Sequence, residues 1–154
     1  EPVLWAQENQ MTADSMALFT KNRKADRMEL FSSAFIASKV DTMRYNQIKG
    51  RSLTGYFMDN ELYKIEIKGN GESLYYLGEG DEIMATNKAT SSDIEIYIEN
   101  GKIAVIIENQ SPEGVIDPPS ELPQGNPRLK DFRWFDHLRP KKIMDIFIKE
   151  TDPI

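Results

Sequence analysis

The stretch DIEIYIENGKIAVIIE (Asp93–Glu108) has the residue pattern of a β-hairpin. Its first half places Ile94, Ile96 and Ile98 on one side of an extended chain, because successive side chains of a β-strand point to opposite faces. An Asn-Gly pair at 100–101 follows, and both residue types accept the positive φ angles that a tight hairpin turn requires. The stretch therefore predicts a half-buried strand, a two-residue turn and a return strand.

Two earlier parts of the chain carry the same pattern. A shift of 41 residues, and then a further shift of 37, aligns this hairpin with a second and a first unit. The aligned outgoing positions are Ile94, Leu53 and Met16, then Ile96, Gly55 and Leu18, then Ile98, Phe57 and Thr20, and finally the turn residues Asn100, Asp59 and Asn22. Self-similarity at a period of about 40 residues is typical of stacked structural units. Unrelated hairpins that share turn chemistry are the alternative interpretation.

The return strands of the three units match less completely. The aligned return positions are Met28, Ile65 and Ile106, followed by Leu30, Ile67 and Glu108. Because Glu108 interrupts the apolar pattern, a register slip or a β-bulge is predicted in the third unit.

The rest of the first 116 residues is also predicted to be strand. With about four short strands per unit, residues 1–116 form an all-β domain of roughly eight to twelve antiparallel strands. The glycine-rich stretch GNGESLYYLGEG (Gly69–Gly80) is interpreted as two turns between strands, because it lacks the Lys and Ser/Thr of a phosphate-binding loop.

The last part of the chain has a different composition. Seven of the eight prolines follow Ser111, and proline removes the N–H group that a strand ladder needs. The aromatic residues between 132 and 138 provide more apolar surface than a disordered tail carries. Residues 117–154 are therefore predicted to be an ordered, Pro-rich strap over one end or edge of the same domain. A short helix is expected within 128–138, and a last strand or helical turn at 141–150.

The chain contains few residues suited to catalysis. It has no cysteine and a single histidine, His137, which is interpreted as a structural residue. Carboxylates such as Asp81, Glu82, Asp93 and Glu95 are interpreted as solvated strand residues rather than a glycosidase pair. No metal site and no cofactor are predicted. The protein is predicted not to be an enzyme.

The net charge and the hydropathy of the chain argue against two kinds of interaction, with nucleic acid and across a membrane. The net charge of −6 argues against binding of nucleic acid, which needs clustered Lys and Arg against the phosphates. No segment approaches the ~20 consecutive apolar residues of a membrane-spanning helix, so no transmembrane span is predicted.

The shared apolar face of the hairpins is the strongest candidate for a function. Its simplest interpretation is the core of a sandwich. A second interpretation is an apolar trough that receives acyl chains, because burying each methylene group contributes about 0.8 kcal/mol. The predicted lipid-binding residues on this inner face are Met16, Leu18, Met28, Leu30, Leu53, Phe57, Ile65, Ile67, Ile94, Ile96 and Ile98.

Several longer motifs resemble one known family. PVLWAQENQMTADSM (2–16), RYNQIKGRSLTGYFMDNELYKIEIKGNGESLYY (44–76) and ELPQGNPRLKDFRWFDHLRP (121–140) are similar to the OstA-like proteins, which are related to the periplasmic carriers of lipopolysaccharide transport. The resemblance implies a taco-shaped β-jellyroll, a two-sheet sandwich of repeated hairpins, that holds lipid acyl chains in an inner cleft. It also implies a periplasmic location in a Gram-negative cell envelope. The implied partners are lipopolysaccharide or a related acyl lipid, and other β-jellyroll transport proteins or further copies joined by edge-strand addition.

Two rival functions from other classes remain open. The first is a β-sandwich scaffold or interaction module of the cell envelope, with a filled core and edge strands that pair with partners. The second is a carbohydrate-binding β domain, in which Tyr75, Tyr76 and Tyr97 form sugar platforms. Lipid extraction from the purified protein separates the first rival from a lipid carrier, and a glycan-binding screen tests the second.

Overall fold

In the part of the chain that the structure describes, nine antiparallel strands form a single sheet, and 74% of the residues are in strands. The computed structural model describes residues 2–79, 82–109, 113–118 and 127–141. Within those ranges, helical structure is limited to the 3-10 turn Asp136–Leu138. The strands are β1 (Val3–Ala6), β2 (Asn9–Thr12), β3 (Ser15–Lys21), β4 (Lys24–Lys39), β5 (Tyr45–Met58), β6 (Glu61–Glu79), β7 (Glu82–Glu99), β8 (Lys102–Asn109) and β9 (Glu113–Asp117). The prediction of an all-β protein is confirmed.

The strand order gives the long strands β4 and β7 different neighbours along their first and last parts. The main path is β1-β2-β4-β5-β6-β7-β8, while β3 pairs with β4 and β9 pairs with β7. Strand β4 pairs with β3 along its first part and with β2 along its last part. Strand β7 pairs with β9 near its start and with β8 near its end.

A line of bulges crosses the long strands where these pairings change. The register shifts between Phe31 and Ala34 in β4, between Lys49 and Ser52 in β5, and between Lys68 and Gly71 in β6. Bulges bend a strand and increase its twist. These bulges separate two parts of the sheet. The part that we call the hairpin half contains residues 15–31, 52–68 and 93–109. The part that we call the segment half contains residues 3–12, 34–50, 71–91 and 113–117.

The two halves face each other. The Tyr75 hydroxyl on the segment half donates to the Ile103 carbonyl on the hairpin half at 3.2 Å. The Asn9 side-chain amide lies 3.4 Å from the carbonyl of Gly101, in the turn before β8. One apolar cluster contains buried side chains from both halves, so the folded sheet encloses a core.

The three repeated hairpins have the predicted turns. Their two-residue turns are 22–23, 59–60 and 100–101, and all six residues have φ between 51° and 75°. Asn and Gly adopt such angles at low cost, which is why this turn type follows from the sequence. Ile94, Ile96 and Ile98 are buried as predicted, at 1%, 0% and 6% exposure.

The register slip predicted in the third hairpin is wrong. Ile106 pairs with Ile96 and Glu108 with Ile94, in the same register as the aligned pairs of the other hairpins. Each hairpin also has a bulge next to its turn, so a bulge does not set the third apart. Glu108 keeps an inner position because the buried Ser73 hydroxyl on the facing half donates to its carboxylate at 2.9 Å.

Two predictions of local structure are corrected. The strands are fewer per unit and longer than predicted, because β4, β5 and β6 continue through their bulges. The first of the two predicted glycine turns is one of those bulges, where Gly69 and Asn70 have φ of 77° and 53° while β6 runs on. The second falls on residues 80–81, outside the described part of the chain.

The described part of the C-terminal region, 127–141, contains a turn at 130–131, where the Phe132 N–H donates to the Leu129 carbonyl at 3.2 Å, and then the 3-10 turn. The short helix predicted within 128–138 is therefore wrong except for the 3-10 turn. Four backbone groups, those of Pro127, Leu129, Arg133 and Phe135, bind glutamine side chains of the sheet instead of forming helical hydrogen bonds. The segment packs on the outer face of the segment half, where Leu129 joins the buried Phe35, Ala37, Leu74 and Tyr76. Residues 119–126 and 142–154 lie outside the described ranges, so the strap over 117–154 and the element at 141–150 stay predictions.

Candidate apolar binding site

The structure brings the eleven predicted lipid-binding residues together on the inside of the folded sheet. Eight of them are buried in one cluster: Met28, Leu30, Leu53, Ile65, Ile67, Ile94, Ile96 and Ile98. Met16 and Phe57 pack against the margin of that cluster. Leu18 is the exception, with 54% of its surface exposed.

The centre of this cluster is filled. All eight buried side chains are at most 6% exposed. A Cβ atom at Gly71 would lie 2.8 Å from Cδ1 of Ile94, so the inner face has no space for one additional methyl group at that point. A ligand therefore needs space outside this filled centre.

An apolar pocket of about 300 Å³ opens at the end of the molecule that carries the hairpin turns. Its apolar walls are Leu4, Trp5 and Ala6 of β1, Leu18 of β3, Ala25 of β4, Phe57 of β5 and Leu62 of β6. Gln7, Asn60 and Glu61 provide the polar groups of its rim. Leu18 and Phe57, which were predicted from the repeat alone, meet in this pocket.

The position of Leu18 and Phe57 follows from the strand pattern. Both lie near the outer ends of inner-facing rows, where the strands lead into their turns. Their side chains therefore extend past the filled cluster and line the open end. Large exposed apolar side chains beside a pocket are a feature of ligand or partner sites.

Strand β1 forms one wall of the pocket and is held from outside by Arg139. The Arg139 guanidinium donates to the Gln7 carbonyl at 2.9 Å and pairs with the Glu8 carboxylate at 2.8 Å. It also lies 5.1 Å from the ring centre of Trp5. The hydrogen bond and charge of Arg139 lower the pKa of Glu8, and the same hydrogen bond raises the pKa of Arg139. Both shifts favour the charged pair.

Two buried glutamines attach the segment 127–141 to the sheet. Gln47, at 0% exposure, donates to the Pro127 carbonyl at 3.1 Å and accepts from the Leu129 N–H at 2.7 Å. Gln10, at 1% exposure, donates to the Arg133 carbonyl at 2.8 Å and accepts from Phe135 N–H at 2.6 Å. Each side-chain amide thus binds the segment as a neighbouring strand would.

Aromatic side chains extend this attachment to β1. The Trp134 ring packs edge-on against Trp5 with the ring centres 5.0 Å apart. Tyr45 contacts both Trp134 and Phe132, at 4.9 Å and 5.0 Å between ring centres. Sequence reasoning missed Leu4, Trp5, Gln10, Gln47 and Arg139 as parts of this region, because none of them belongs to the repeated hairpins.

The tyrosines considered for sugar binding and the single histidine do not line the apolar pocket. Tyr76 is 7% exposed within the cluster beneath the segment, and Tyr75 faces inward, so neither is a surface platform for sugars. His137 is exposed beside Phe135.

The described residues contain no group of three His, Cys, Asp or Glu that could bind a metal. They also include no helix long and apolar enough to cross a bilayer.

The edge strands β8 and β9 expose apolar side chains. Val105 and Ile107 of β8 are 48% and 39% exposed, and Val115 and Ile116 of β9 are 60% and 66% exposed. In the described sheet, both strands have β7 as their single neighbour. Unpaired backbone groups and apolar side chains together make these edges suited to strand addition.

No protein-family model, no curated protein and no solved structure matches this chain.

Proposed function

We propose that this protein is an OstA-like β-jellyroll that binds lipid without catalysing a reaction and takes part in lipopolysaccharide transport across the periplasm. The observation that carries the proposal is the apolar pocket in which Leu18 and Phe57 meet. The resemblance of the sequence motifs to the OstA-like proteins supplies the lipid class and the location.

The pocket favours one end of an acyl chain as its ligand. A volume of about 300 Å³ is at the lower limit of small-molecule sites, which span roughly 300–1,000 Å³. Each methylene group buried there contributes about 0.8 kcal/mol, so a few carbons provide measurable affinity. Its polar rim leaves the headgroup of the lipid in water.

Edge-strand addition is the second part of the proposal. Within the described sheet, strands β8 and β9 each pair with β7 alone and carry exposed apolar side chains along one side of the sheet. Another β-jellyroll transport protein, or a second copy of this chain, would continue the sheet from this edge. Such joining would align the inner apolar faces of successive domains.

A scaffold of the cell envelope is the second candidate function. The filled centre of the core favours it, because eight of the predicted ligand residues already bury one another. A scaffold would use the same exposed edge strands without any lipid. Lipid binding at the pocket therefore separates the two functions.

We expect Leu18→Asp to weaken lipid binding at least tenfold while the protein stays folded. Leu18 lines the pocket but is 54% exposed, so a carboxylate there remains hydrated in the free protein. An acyl chain entering the pocket would have to desolvate that carboxylate, at a cost above the about 1–3 kcal/mol of a neutral polar group. Titration with dansyl-labelled undecanoic acid, followed by competition with purified lipopolysaccharide, measures the effect.

Phe19→Asp is the matched control. Phe19 follows Leu18 on the same strand, points to the opposite face and is 41% exposed. It contacts Arg27 at 4.5 Å and does not line the pocket. Equal affinity of the Leu18→Asp variant and the wild type would contradict the lipid proposal and favour the scaffold. Equal loss in both variants would place the lipid elsewhere.

A further inference from the structure

The pocket wall formed by β1 differs from the other walls in how it is held. Strand β1 pairs with β2 alone, through four residue pairs, whereas β4, β5 and β6 have neighbours on both sides. Strand β3 also has one neighbour, but seven residue pairs hold it. Short strands with few contacts open locally at lower free energy than the rest of a fold. Strand β1 is therefore the weakest wall of the pocket.

We propose that β1 is the gate of the apolar pocket and that Arg139 is the latch that keeps this gate closed. The inference rests on the proposed lipid-binding function. Leu4, Trp5 and Ala6 all line the pocket, so moving β1 away opens it along its length. A buried acyl chain would then enter from the side of the sheet rather than through the open end at the hairpin turns.

Three contacts of Arg139 converge on the β1–β2 hairpin. The guanidinium binds the carbonyl of Gln7 and the carboxylate of Glu8, and it lies over the ring of Trp5. Arginine suits this role, because its planar fork of donors binds a carbonyl and a carboxylate together while its face stacks on an aromatic ring. The side chain of Arg139 is 28% exposed and that of Glu8 is 67% exposed, so water screens the ion pair, and the latch rests also on the hydrogen bond to Gln7 and the contact with Trp5.

The latch is anchored independently of the gate. Gln10 of β2 binds the backbone of Arg133 and Phe135, which fixes the segment that carries Arg139. Strand β2 itself is buried along its whole length and continues to pair with β4. Loss of the Arg139 contacts would thus weaken the hold on β1, whose pairing with β2 and Trp5–Trp134 contact remain, while β2 and the segment 127–141 stay in place.

The test compares Arg139→Gln with Arg44→Gln in the full chain. Arg44 also binds a carboxylate, that of Asp41, and stacks over an aromatic ring, that of Tyr76, but contacts neither β1 nor the pocket. Hydrogen–deuterium exchange should be about tenfold faster at the amides of β1 in Arg139→Gln, since the variant loses the charge-assisted hydrogen bond to the Gln7 carbonyl. Exchange at Ile65 and Ile67 should not change, and Arg44→Gln should leave β1 as in the wild type.

The rate of lipid loading provides the functional measurement. Stopped-flow mixing with dansyl-labelled undecanoic acid should show loading several-fold to about tenfold faster in Arg139→Gln, because more molecules have the gate open. Arg139→Lys should fall between this variant and the wild type, since an ammonium keeps the charge but loses the planar fork.

Each result has a definite meaning. Unchanged β1 exchange in Arg139→Gln would overturn the latch, and so would equal acceleration throughout the sheet. Faster β1 exchange with unchanged loading would overturn the gate, because the lipid would then enter by another route. If the wild type failed to bind the dye at all, the proposed function would fail and the gate with it. The exchange data would still show whether Arg139 fastens β1.

Discussion

Replacing Ile96 by Ala is expected to lower the free energy of unfolding by about 2–5 kcal/mol. Ile96 is 0% exposed and lies between Ile65 and Ile106 on neighbouring strands. Truncation removes its transfer free energy and leaves a cavity in a centre that is already tightly packed. Chemical denaturation followed by circular dichroism measures the change.

Glu95→Ala is the matched control for this prediction. Glu95 is the preceding residue on β7, points to the outer face and lies 3.5 Å from the Lys64 ammonium group. Its side chain is 32% exposed, so the loss of this pair should cost under about 1 kcal/mol. Similar losses in the two variants would mean that the inner and outer faces of β7 had been assigned wrongly.

Local patterns predicted the hairpins well, because their causes are local. Strict alternation from 93 to 99 set which side chains are buried, and the residues at 22–23, 59–60 and 100–101 set the turns. Neither feature depends on distant parts of the chain. The same rows of side chains pointed to Leu18 and Phe57, which the structure places in the pocket.

The bend of the sheet was harder to predict. A bulge and a hairpin turn both use residues with positive φ, so Gly69 and Asn70 alone do not distinguish them. What separates the two is whether the chain continues beside the same neighbours, and β5 and β6 do resume pairing beyond the bulge. That information comes from strand pairing over long distances in sequence.

The attachment of the segment 127–141 was not predictable from local patterns either. Gln10 and Gln47 are polar residues at positions that alternation assigns to a sheet face, and nothing nearby in sequence marks them as buried. Their partners lie 82 residues away for Gln47 and 125 for Gln10. Buried amides become understandable only when the backbone groups that they bind are known.

Gln47→Leu is expected to lower the free energy of unfolding by about 2–4 kcal/mol, although leucine is apolar and similar in size. The buried N–H of Leu129 and the carbonyl of Pro127 would lose their partner, and an unsatisfied buried group costs about 1–3 kcal/mol. Because Leu129 is itself 4% exposed, water cannot replace the amide without lifting the segment. Thermal or chemical unfolding measures the loss, and limited proteolysis within 127–141 reports detachment of the segment.

A double-mutant cycle with Leu129→Ala shows where this effect acts. If Gln47 stabilises the protein by holding the segment, then Leu129→Ala should cost less in the Gln47→Leu background, because the segment is already detached there. We expect a coupling free energy of about 1–3 kcal/mol, as found for residues in direct contact. Additive losses would mean instead that Gln47 supports β5 itself, through its 3.1 Å hydrogen bond to the Tyr45 carbonyl. In that case the segment would be held mainly by Gln10 and the aromatic contacts, and proteolysis of the Gln47→Leu variant should then resemble that of the wild type.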